Sequence, residues 1–349
     1  MASGRGEMQK SVLDYPLEAI PAAGEPLTVA PGVRWLRMPL PFALDHINLW
    51  LLEDGDGWTV VDCGIATDET RALWRLIFQE HLGGRPIHRV VVTHYHPDHV
   101  GLAGWLTEHW SADLWMPRTE WLTARALSLA HDEEVEPSLG FYRRAGCDAE
   151  FLDGIARRGA VYAKRVSPIP ARYRRVVDGE EIAIGGRRWR VVVGRGHAPE
   201  HALLLCAELG LLISGDQVLP RISPNVSVSP YEPEENPLAD FLATLERLGR
   251  LDPDLLVLPS HNVPFRGLHE RLNELGRHHE ERLELLAAAC VEPSTAMQLA
   301  RVLFRRPLDS HQIGFAIGET IAHLRFLERR GLLVRDRQGE EIERYRRAA

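Results

Sequence analysis

The chain has 349 residues, of which 45% are hydrophobic and 26% are charged, so its composition is that of an ordinary globular protein. This length suits one large domain followed by a small one better than a single minimal domain. The formal net charge of -8 excludes a strong overall attraction to nucleic acid or to an anionic membrane, although a local basic patch is compatible with it.

The cysteines and the hydropathy pattern bear on the cellular compartment. The four cysteines, at positions 63, 147, 206 and 290, form no C-x-x-C pair, which indicates reduced thiols rather than a disulfide framework. The first 21 residues contain no apolar core of the kind found in secretory signals. No run of 18 or more apolar residues predicts a membrane span. We therefore expect a cytoplasmic protein without a membrane anchor.

The amino-terminal part of the chain predicts strands first and then alternating strands and helices. Residues 1–26 are polar and interrupted by proline and glycine, which indicates a loosely held lead-in. Short runs rich in β-branched and aromatic residues predict strands, and apolar residues at helical spacing predict helices. The predicted elements are strands at 33–38, 47–52 and 58–62, a helix at 68–82, a strand at 87–93 and a helix near 99–110.

The middle of the chain contains a segment of different character. Residues 117–175 carry charged helical stretches broken by proline and glycine, and we interpret them as a mostly helical insertion. Beyond it, apolar strands separated by single helices predict mixed α/β layers, so that 27–265 forms one large domain. These later elements are strands at 181–184, 188–193, 202–206 and 211–214, a helix at 237–248 and a strand at 255–258.

The carboxy-terminal part predicts a connecting helix and a small domain. Residues 266–290 form a charged pattern with leucines at helical spacing, and 291–349 predict three helices followed by a hairpin, which is typical of a winged helix. The named elements of this last segment are a helix opened by Ser294, a helix at 318–330, strands at 332–335 and 341–345, and a turn at Gly339.

Residues 93–99 read Thr-His-Tyr-His-Pro-Asp-His and lie between a predicted strand and a predicted helix. In an extended chain His94 and His96 are two residues apart and point to the same side. Asp98 and His99 fall where the chain turns into the helix, so their side chains are directed elsewhere. Imidazole nitrogen and carboxylate oxygen suit Zn²⁺, with iron or manganese as alternatives. This loop can therefore serve two metal ions.

Other candidate ligands follow other predicted strands. His197, Asp216 and His261 each come after an apolar strand, at the point where the chain enters a loop. The carboxyl ends of strands are where α/β proteins usually place their active-site residues. Three such residues, together with the histidine-rich loop, predict a metal site at one edge of the sheets.

In this order, Asp62, the 94–99 motif, His197, Asp216 and His261 resemble the five-motif signature of the metallo-β-lactamase superfamily. The resemblance covers roughly 27–265 and implies an αββα sandwich with two divalent metal ions, most readily zinc, at one edge. It implies that Asp62 orients the metal-binding loop through hydrogen bonds. The implied ligands are His94, His96 and His197 for the first metal, Asp98, His99 and His261 for the second, and Asp216 for both.

The resemblance also implies hydrolysis by a hydroxide that bridges the two metals, because bound cations lower the pKa of water toward neutrality. Asp216, which would bridge the metals, and Asp98, which would handle the proton, are the candidate catalytic residues. Zinc β-lactamases as a family lack the bridging aspartate, so Asp216 argues against β-lactamase activity. The pattern is closer to that of glyoxalase II-like and lactonase-like hydrolases, and to that of the ribonuclease-like members of the superfamily.

The stretch from His197 to His201 resembles the Gly-His-Thr-x-Gly-His segment of glyoxalase II-type enzymes, except that residue 200 is glutamate. On this basis His201 is a candidate hydrogen-bonding residue behind the ligands. We predict a small acyl substrate, namely a thioester, an ester or a lactone, under a lid formed by the helical insertion. Trp121, Tyr142 and Tyr173 are the residues of the insertion predicted to line the pocket.

Two other functions stay open on the sequence. Some relatives with a winged-helix tail cleave RNA, which would make the chain a phosphodiesterase or ribonuclease with 291–349 as its substrate platform. That segment has 11 arginines and 8 acidic residues, and its net charge of +3 is low for duplex binding. The other alternative is a non-catalytic nucleic-acid-binding or scaffold protein. A small molecule is thus the favoured partner, nucleic acid is less favoured, and a homodimer has no direct signal in the sequence.

Overall fold

A computed structural model describes residues 13–132, 135–305, 307–308, 310–336 and 342–348 of the chain. Residues 1–12 of the predicted lead-in lie outside the described residues. The predicted turn at Gly339 and residue 341 of the predicted hairpin lie outside them as well.

The first sheet has seven strands that follow one another in chain order. Its first four strands pair antiparallel as successive hairpins, and the fourth to seventh strands pair parallel. The strands are Leu27–Ala30 (β1), Val33–Pro39 (β2), His46–Asp54 (β3), Gly57–Val61 (β4), Ile87–Val91 (β5), Asp113–Met116 (β6) and Arg174–Arg175 (β7). Parallel strands place their carboxyl ends at the same edge, so the residues after β4 and β5 lie side by side.

The second sheet has five strands in the order β12-β11-β10-β9-β8. Only β11 and β12 pair in parallel, and the other neighbours are antiparallel. The strands are Glu181–Ile184 (β8), Arg187–Gly194 (β9), His201–Cys206 (β10), Leu211–Gly215 (β11) and Leu256–Pro259 (β12). The carboxyl ends of β9, β11 and β12 therefore reach one common edge of this sheet.

Helices cover the outer faces of both sheets and form most of the insertion. They are Asp68–Glu80 (α1), Pro97–Val100 (α2), Ala103–Trp110 (α3), Arg118–Ser128 (α4), Glu136–Arg144 (α5), Ala149–Arg158 (α6), Pro237–Leu248 (α7), Leu268–Ala289 (α8), Ala296–Leu303 (α9) and Ser310–Arg329 (α10). Within the described residues, no helix combines the length and the apolar character that crossing a membrane requires.

The alternation of side chains along the strands builds a four-layer αββα sandwich. In β3, Trp50 and Leu52 join the apolar core between the two sheets, whereas Leu49 and Leu51 join the core beneath α1 and α3. In β9, Val191 and Val193 face the first sheet, while Val192 faces the core that includes α7, α8 and α10. Because side chains alternate along a strand, each sheet supplies one wall to two cores. The predicted fold class is confirmed.

The predicted elements between residues 33 and 290 agree with the structure to within two residues at each end, with one correction. The helix predicted near 99–110 is two helices, α2 and α3. The chain breaks there because the backbone N–H of Leu102 donates to the Gly64 carbonyl, 3.1 Å away, instead of continuing the helix. The short strands β6 and β7 were not predicted, since four and two residues carry too little periodicity.

The carboxy-terminal segment contains α9, α10 and the antiparallel strands Leu333–Asp336 (β13) and Arg344–Arg347 (β14). Three helices were predicted for 291–349, and its described part contains two, so that count was wrong. Helix α10 also begins eight residues earlier than predicted. Two glycines there, Gly314 and Gly318, lower helix propensity but allow close packing, because a Cβ at Gly318 would lie 2.9 Å from Ser227 Cβ. The winged-helix assignment itself stays a prediction.

A group of buried polar side chains joins α8 to α10. His279 Nδ1 lies 3.1 Å from His323 Nε2, and His323 Nδ1 donates to the Glu319 carbonyl at 2.8 Å. Glu319 is 8% exposed, and its carboxylate lies 3.3 Å from the guanidinium of Arg282. Burial raises the pKa of Glu319 to about 7 even though Arg282 lowers it, so this carboxyl group titrates near neutrality.

We predict that Glu319 makes stability fall with rising pH. Its pKa is about 7 in the folded chain against an ordinary 4.5, so its contribution is complete below the lower value and is lost as the pH rises through the higher one. Between roughly pH 5 and pH 8, the free energy of unfolding of the metal-free wild type should fall by on the order of 1–3 kcal/mol more than that of a Glu319→Gln variant. Urea unfolding of both proteins at the two pH values measures this difference.

Glu281→Gln, at an exposed position on α8, is the matched control and should keep the pH dependence of the wild type. An equal pH dependence for wild type and Glu319→Gln would contradict the prediction.

Candidate metal centre

The loop that follows β5 is held by Asp62, which follows β4. The Oδ1 atom of Asp62 accepts from the backbone N–H of Thr93 at 2.8 Å, and its Oδ2 atom accepts from Thr93 Oγ1 at 2.8 Å. His99 Nδ1 lies 2.7 Å from the same Oδ2 atom. The pair orients the ring of His99 so that its other nitrogen, Nε2, faces the centre. Asp62, for which the resemblance implied an orienting role, therefore hydrogen-bonds to both the backbone of this loop and the ring of His99.

A first group of ligand atoms comes from His94, His96, His197 and Asp216. His94 Nε2 lies 2.8 Å from His96 Nδ1 and 3.2 Å from His197 Nε2. His197 Nε2 in turn lies 3.5 Å from Asp216 Oδ2. Three imidazole nitrogens and one carboxylate oxygen thus converge on a single point, although the residues come from both sheets.

A second group comes from Asp98, His99 and His261. His261 Nε2 lies 3.5 Å from Asp98 Oδ2 and 3.3 Å from Asp216 Oδ1. His99 Nε2 lies 3.5 Å from that same Asp216 oxygen. One oxygen of Asp216 therefore faces the first group and the other faces the second. The structure brings all seven predicted ligands together in two adjacent clusters.

Hydrogen bonds to the opposite ring nitrogens fix the ligands. His197 Nδ1 donates to the Asn225 carbonyl, and His261 Nδ1 donates to the His46 carbonyl, both at 2.8 Å. Each bond places the proton on Nδ1 and leaves the Nε2 lone pair for a metal.

The predicted hydrogen-bonding residue His201 lies behind Asp216. Its Nε2 atom accepts from the backbone N–H of Asp216 at 3.1 Å. The preceding residue, Gly215, has φ of 53°, and a Cβ there would lie only 2.2 Å from His201 Cε1. The absence of a side chain at Gly215 is therefore what lets the imidazole approach and hold the backbone of the bridging aspartate.

The protonation states suit metal binding. Burial lowers the pKa of His96 to about 3 and also lowers the pKa values of His94 and His197, so these rings are neutral and their lone pairs are available. Burial alone would raise the pKa of Asp98, but the neighbouring His99 and His261 outweigh it and lower this pKa to about 2. The carboxylate is therefore ionised.

The residues present fit two divalent cations. His99 Nε2 and Asp216 Oδ1 are buried and make no hydrogen bond. Buried polar atoms without a partner are costly, and a coordinated cation would satisfy both of them. Imidazole and carboxylate ligands in sets of three or four suit zinc, iron or manganese. His94, His96, His197 and Asp216 would hold one cation, and Asp98, His99, His261 and Asp216 the other.

A cavity of about 1130 Å³ adjoins the first cluster at His96 and His197. Besides the loops that carry His96 and His197, its walls come from insertion helices α4, α5 and α6, the segment 225–237 with the first turn of α7, and helix α10 of the carboxy-terminal segment. Of the three predicted pocket residues, only Tyr142 lines it. Burial raises the pKa of Tyr142 to about 12, so its hydroxyl remains protonated and can donate a hydrogen bond.

The other two predicted pocket residues were assigned wrongly. Trp121 and Tyr173 stack on each other with ring centroids 4.3 Å apart, and Trp121 Nε1 donates to the Pro170 carbonyl at 3.0 Å. They pack with the core beneath the first sheet and do not line the cavity. Their aromatic character reflects packing of the insertion onto the sheet, which residue type alone does not distinguish from substrate contact.

Sequence reasoning missed several residues that shape the centre. Thr93, at the end of an apolar strand, could have been found from its hydroxyl next to the motif. Asn225 and His46 act through backbone carbonyls, so residue type carries no signal of their role. Glu120 in α4 is fully buried against the loop between His94 and His96, and nothing local marks it as different from a solvated glutamate.

Models of known protein families match most of the chain. The model of the metallo-beta-lactamase superfamily matches residues 43–261. A second model, for the metallo-beta-lactamase-like, C-terminal domain, matches residues 283–348. The chain therefore belongs to the metallo-beta-lactamase superfamily.

Individual relatives agree with this assignment. A beta-lactamase domain protein from Burkholderia ambifaria, known from a crystal structure, is 48% identical in sequence to this chain. The match covers 96% of this chain and 98% of that protein, with a TM-score of 0.90. A metallo-beta-lactamase family protein from Thermus thermophilus is 34% identical over 92% of this chain and all of its own, with a TM-score of 0.72. The probable metallo-hydrolase YqjP of Bacillus subtilis (strain 168) is 26% identical over 84% of this chain and 91% of its own. With the His/Asp clusters, these similarities identify a metal-dependent hydrolase.

We predict that each cluster holds one ion. His197→Ala removes a ligand of the first cluster only, and His261→Ala removes a ligand of the second only. After dialysis against a weak chelator, the wild type should retain about two zinc ions per chain and each variant about one, because a site that loses one of its protein ligands binds its ion less tightly. Elemental analysis of the dialysed proteins measures the ratio.

His109→Ala, at an exposed histidine outside both clusters, is the control and should retain the content of the wild type. Loss of both ions from both single variants would show that the two clusters do not bind independently.

Proposed function

We propose that this metal-dependent hydrolase cleaves a small acyl compound: a thioester, an ester or a lactone. The observation that carries the proposal is the cavity of about 1130 Å³ that ends on His96 and His197. Pockets for small molecules are concave, mostly apolar and of comparable or smaller volume. A cavity of this size that leads to metal ligands favours a compact substrate over a long polymer.

The lining of the cavity supports an apolar acyl group. Apolar side chains from the insertion, from the segment 225–237 and from α10 form part of its wall. They include Ala126, Leu127, Ala130, Ile155, Val228 and Phe315. Burying a hydrocarbon chain against such a surface contributes about 25 cal/mol for each Å² removed from water. This wall would bind the acyl portion while the scissile bond lies at the metals.

The charges of the lining argue against RNA. Five acidic residues and only two arginines line the cavity. Binding to nucleic acid depends on cationic groups that neutralise phosphates, which this lining does not provide. The acidic residues are Glu136, Glu200, Glu232, Glu235 and Asp240, and the arginines are Arg158 and Arg195.

The basic residues of the carboxy-terminal segment are partly used within the molecule. Arg335 lies 2.9 Å from Glu234 and 3.3 Å from Glu343, and Arg325 lies 3.4 Å from Glu234 and 3.1 Å from the Pro233 carbonyl. These bonds tie the segment 229–235, which lines the cavity, to α10 and β13. These contacts support a role for the carboxy-terminal segment in shaping the cavity rather than in binding phosphates.

Hydrolysis at this centre would use two cations as Lewis acids that make water acidic near neutral pH. The chain orients the reaction around them. His96 and His197 lie at the cavity end and fix where the scissile bond would rest. The side chain of Asp98 is 19% exposed against 10% for Asp216, so Asp98 is the carboxylate better placed to exchange a proton with solvent or with a leaving group.

A second candidate is the hydrolysis of an alkyl sulfate. A linear primary-alkylsulfatase from Pseudomonas sp. (strain ATCC 19151) is 25% identical over 65% of this chain, although the match spans only 43% of that enzyme. The apolar wall of the cavity would suit an alkyl chain as well as an acyl chain. The two candidates therefore differ in the group that reaches the metals.

The proposal includes a cytoplasmic location and a small-molecule partner. All four cysteines lie within the described residues and carry free thiols, as expected in a reducing compartment.

We predict that the zinc-loaded protein hydrolyses acyl substrates, and that Asp216→Ala abolishes this activity because both metals lose a ligand. The loss should be at least about 100-fold, since even hydrogen-bond partners of metal ligands cost roughly 10- to 100-fold. A hydrolysis panel measures it, with acyl-glutathione thioesters, acyl-homoserine lactones, aryl esters, alkyl sulfates, bis-aryl phosphodiesters and single-stranded RNA.

Turnover confined to acyl compounds supports the proposal. Turnover confined to alkyl sulfates would select the second candidate. Turnover of phosphodiesters or RNA alone would overturn both and make 291–349 a candidate substrate platform.

We predict that Phe315→Ala weakens binding of long acyl chains. Phe315 lines the cavity and is 47% exposed, so loss of its ring should remove apolar contact worth about 1 kcal/mol, or roughly 5-fold in KM. Short-chain substrates that do not reach α10 should be unaffected. Steady-state kinetics across chain lengths measures the effect, with Leu332→Ala, an exposed leucine outside the cavity, as control. A uniform loss of kcat at all chain lengths would contradict this placement of the acyl chain.

A further inference from the structure

The two loops that carry the imidazoles of the first cluster belong to different sheets. His94 and His96 follow β5 of the first sheet, whereas His197 follows β9 of the second. His94 Nε2 and His197 Nε2 nevertheless lie 3.2 Å apart, close enough to share one cation. Something must therefore fix one loop against the other at the distance that shared coordination requires.

The backbone N–H of Ala202 ties the second sheet to the Thr93 carbonyl at 2.9 Å, and Glu120 makes a further connection between the loops themselves. Glu120 lies in the first turn of α4, and its side chain is fully buried. Its Oε2 atom accepts from the backbone N–H of Tyr95 at 2.9 Å, and its Oε1 atom accepts from the backbone N–H of Glu200 at 2.6 Å. One carboxylate thus joins the backbone between two ligands of the first loop to the backbone just beyond His197.

Contacts on both sides hold α4 in place. The carboxylate of Glu200 accepts from the backbone N–H of Thr119 at 2.8 Å, which reciprocates the bond from Glu120. Tyr162, also in the insertion, donates from its hydroxyl to the Tyr95 carbonyl at 2.5 Å. The insertion is therefore attached to both metal-binding loops as well as forming a wall of the cavity.

We propose that Glu120 is a positioning residue of the metal centre, which sets the separation of the two loops so that His94, His96 and His197 bind one cation. A buried carboxyl group is costly unless specific donors compensate it, and both oxygens of Glu120 accept from backbone N–H groups. The carboxylate and the two loops therefore fix each other. The proposal concerns the metal centre and does not depend on the identity of the substrate.

Glu120→Gln tests this with little change in size. An amide has one acceptor oxygen, and its NH₂ group would face the N–H donor of the other loop, so at least one of the two hydrogen bonds is lost. We expect zinc affinity at the first cluster to fall by on the order of 10- to 100-fold, as for other partners of metal ligands.

The affinity is measured by chelator competition on full-length protein in two backgrounds. In His261→Ala, which keeps an intact first cluster, Glu120→Gln should lower the affinity for the remaining ion. In His197→Ala, where the first cluster is already incomplete, it should change the affinity of the second cluster by less than about 3-fold, within the usual variation of such measurements. Glu319→Gln, at another buried glutamate, is the matched control and should leave both affinities unchanged.

A merely structural role gives a different result. It would lower the melting temperature of the metal-free protein and leave zinc affinity in the His261→Ala background unchanged, which would overturn the proposal. If circular dichroism shows that metal-free Glu120→Gln is unfolded, Glu120→Asp replaces it. Aspartate keeps the charge but is one methylene shorter, so it should lower first-cluster affinity in the same way, and wild-type affinity in that variant would also overturn the proposal.

Discussion

Seven ligands must reach one point, and no single loop of the chain carries more than four of them. The 94–99 loop of the first sheet supplies four, and three loops of the second sheet supply the rest. The metal centre therefore depends on how the edges of the two sheets are joined. Backbone hydrogen bonds make that join beside the ligands: Ala202 donates to the Thr93 carbonyl at 2.9 Å, and Asn48 donates to the Ser260 carbonyl at 2.6 Å. Apolar packing between the sheets sets their spacing, and these bonds set the register at the edge.

The connection between the two sheet edges has an electrostatic consequence. It brings buried carboxylates and imidazoles within 4 Å of one another, and two buried atoms, His99 Nε2 and Asp216 Oδ1, make no hydrogen bond. Without cations, such an arrangement costs free energy that the cores of the sandwich must supply. Bound cations would offset that cost, which would couple metal binding to folding. The hydrogen bonds from Asp62, the His46 carbonyl and the Asn225 carbonyl limit the rearrangement that binding requires.

How far the sequence predicts this structure depends on whether each signal is local. Ligands at strand ends are predictable, because apolar runs mark the strands and polar residues that bind metals follow them directly, as at His197 and Asp216. The lining of the cavity is not predictable in this way. Trp121 and Phe315 carry similar local signals, and only tertiary packing directs Trp121 to the core and Phe315 to the cavity. Glu120 illustrates the limit most clearly, since its partner Glu200 is 80 residues away.

Different parts of the chain supply the metal ligands and the walls of the cavity, which bears on how the substrate of this fold can differ between proteins. The ligands sit on strand ends fixed by the sandwich, whereas the cavity is closed by the insertion, by the segment 225–237 and by α10. None of the seven ligands lies on α10 or in the Glu234–Arg335 ion pair, so substitutions there would act on the shape of the cavity more directly than on the metal site. The insertion is different, since Glu120 connects it to the metal loops. Changes in the carboxy-terminal wall would therefore act mainly on the shape of the cavity, whereas changes at the base of α4 would alter the metal site as well.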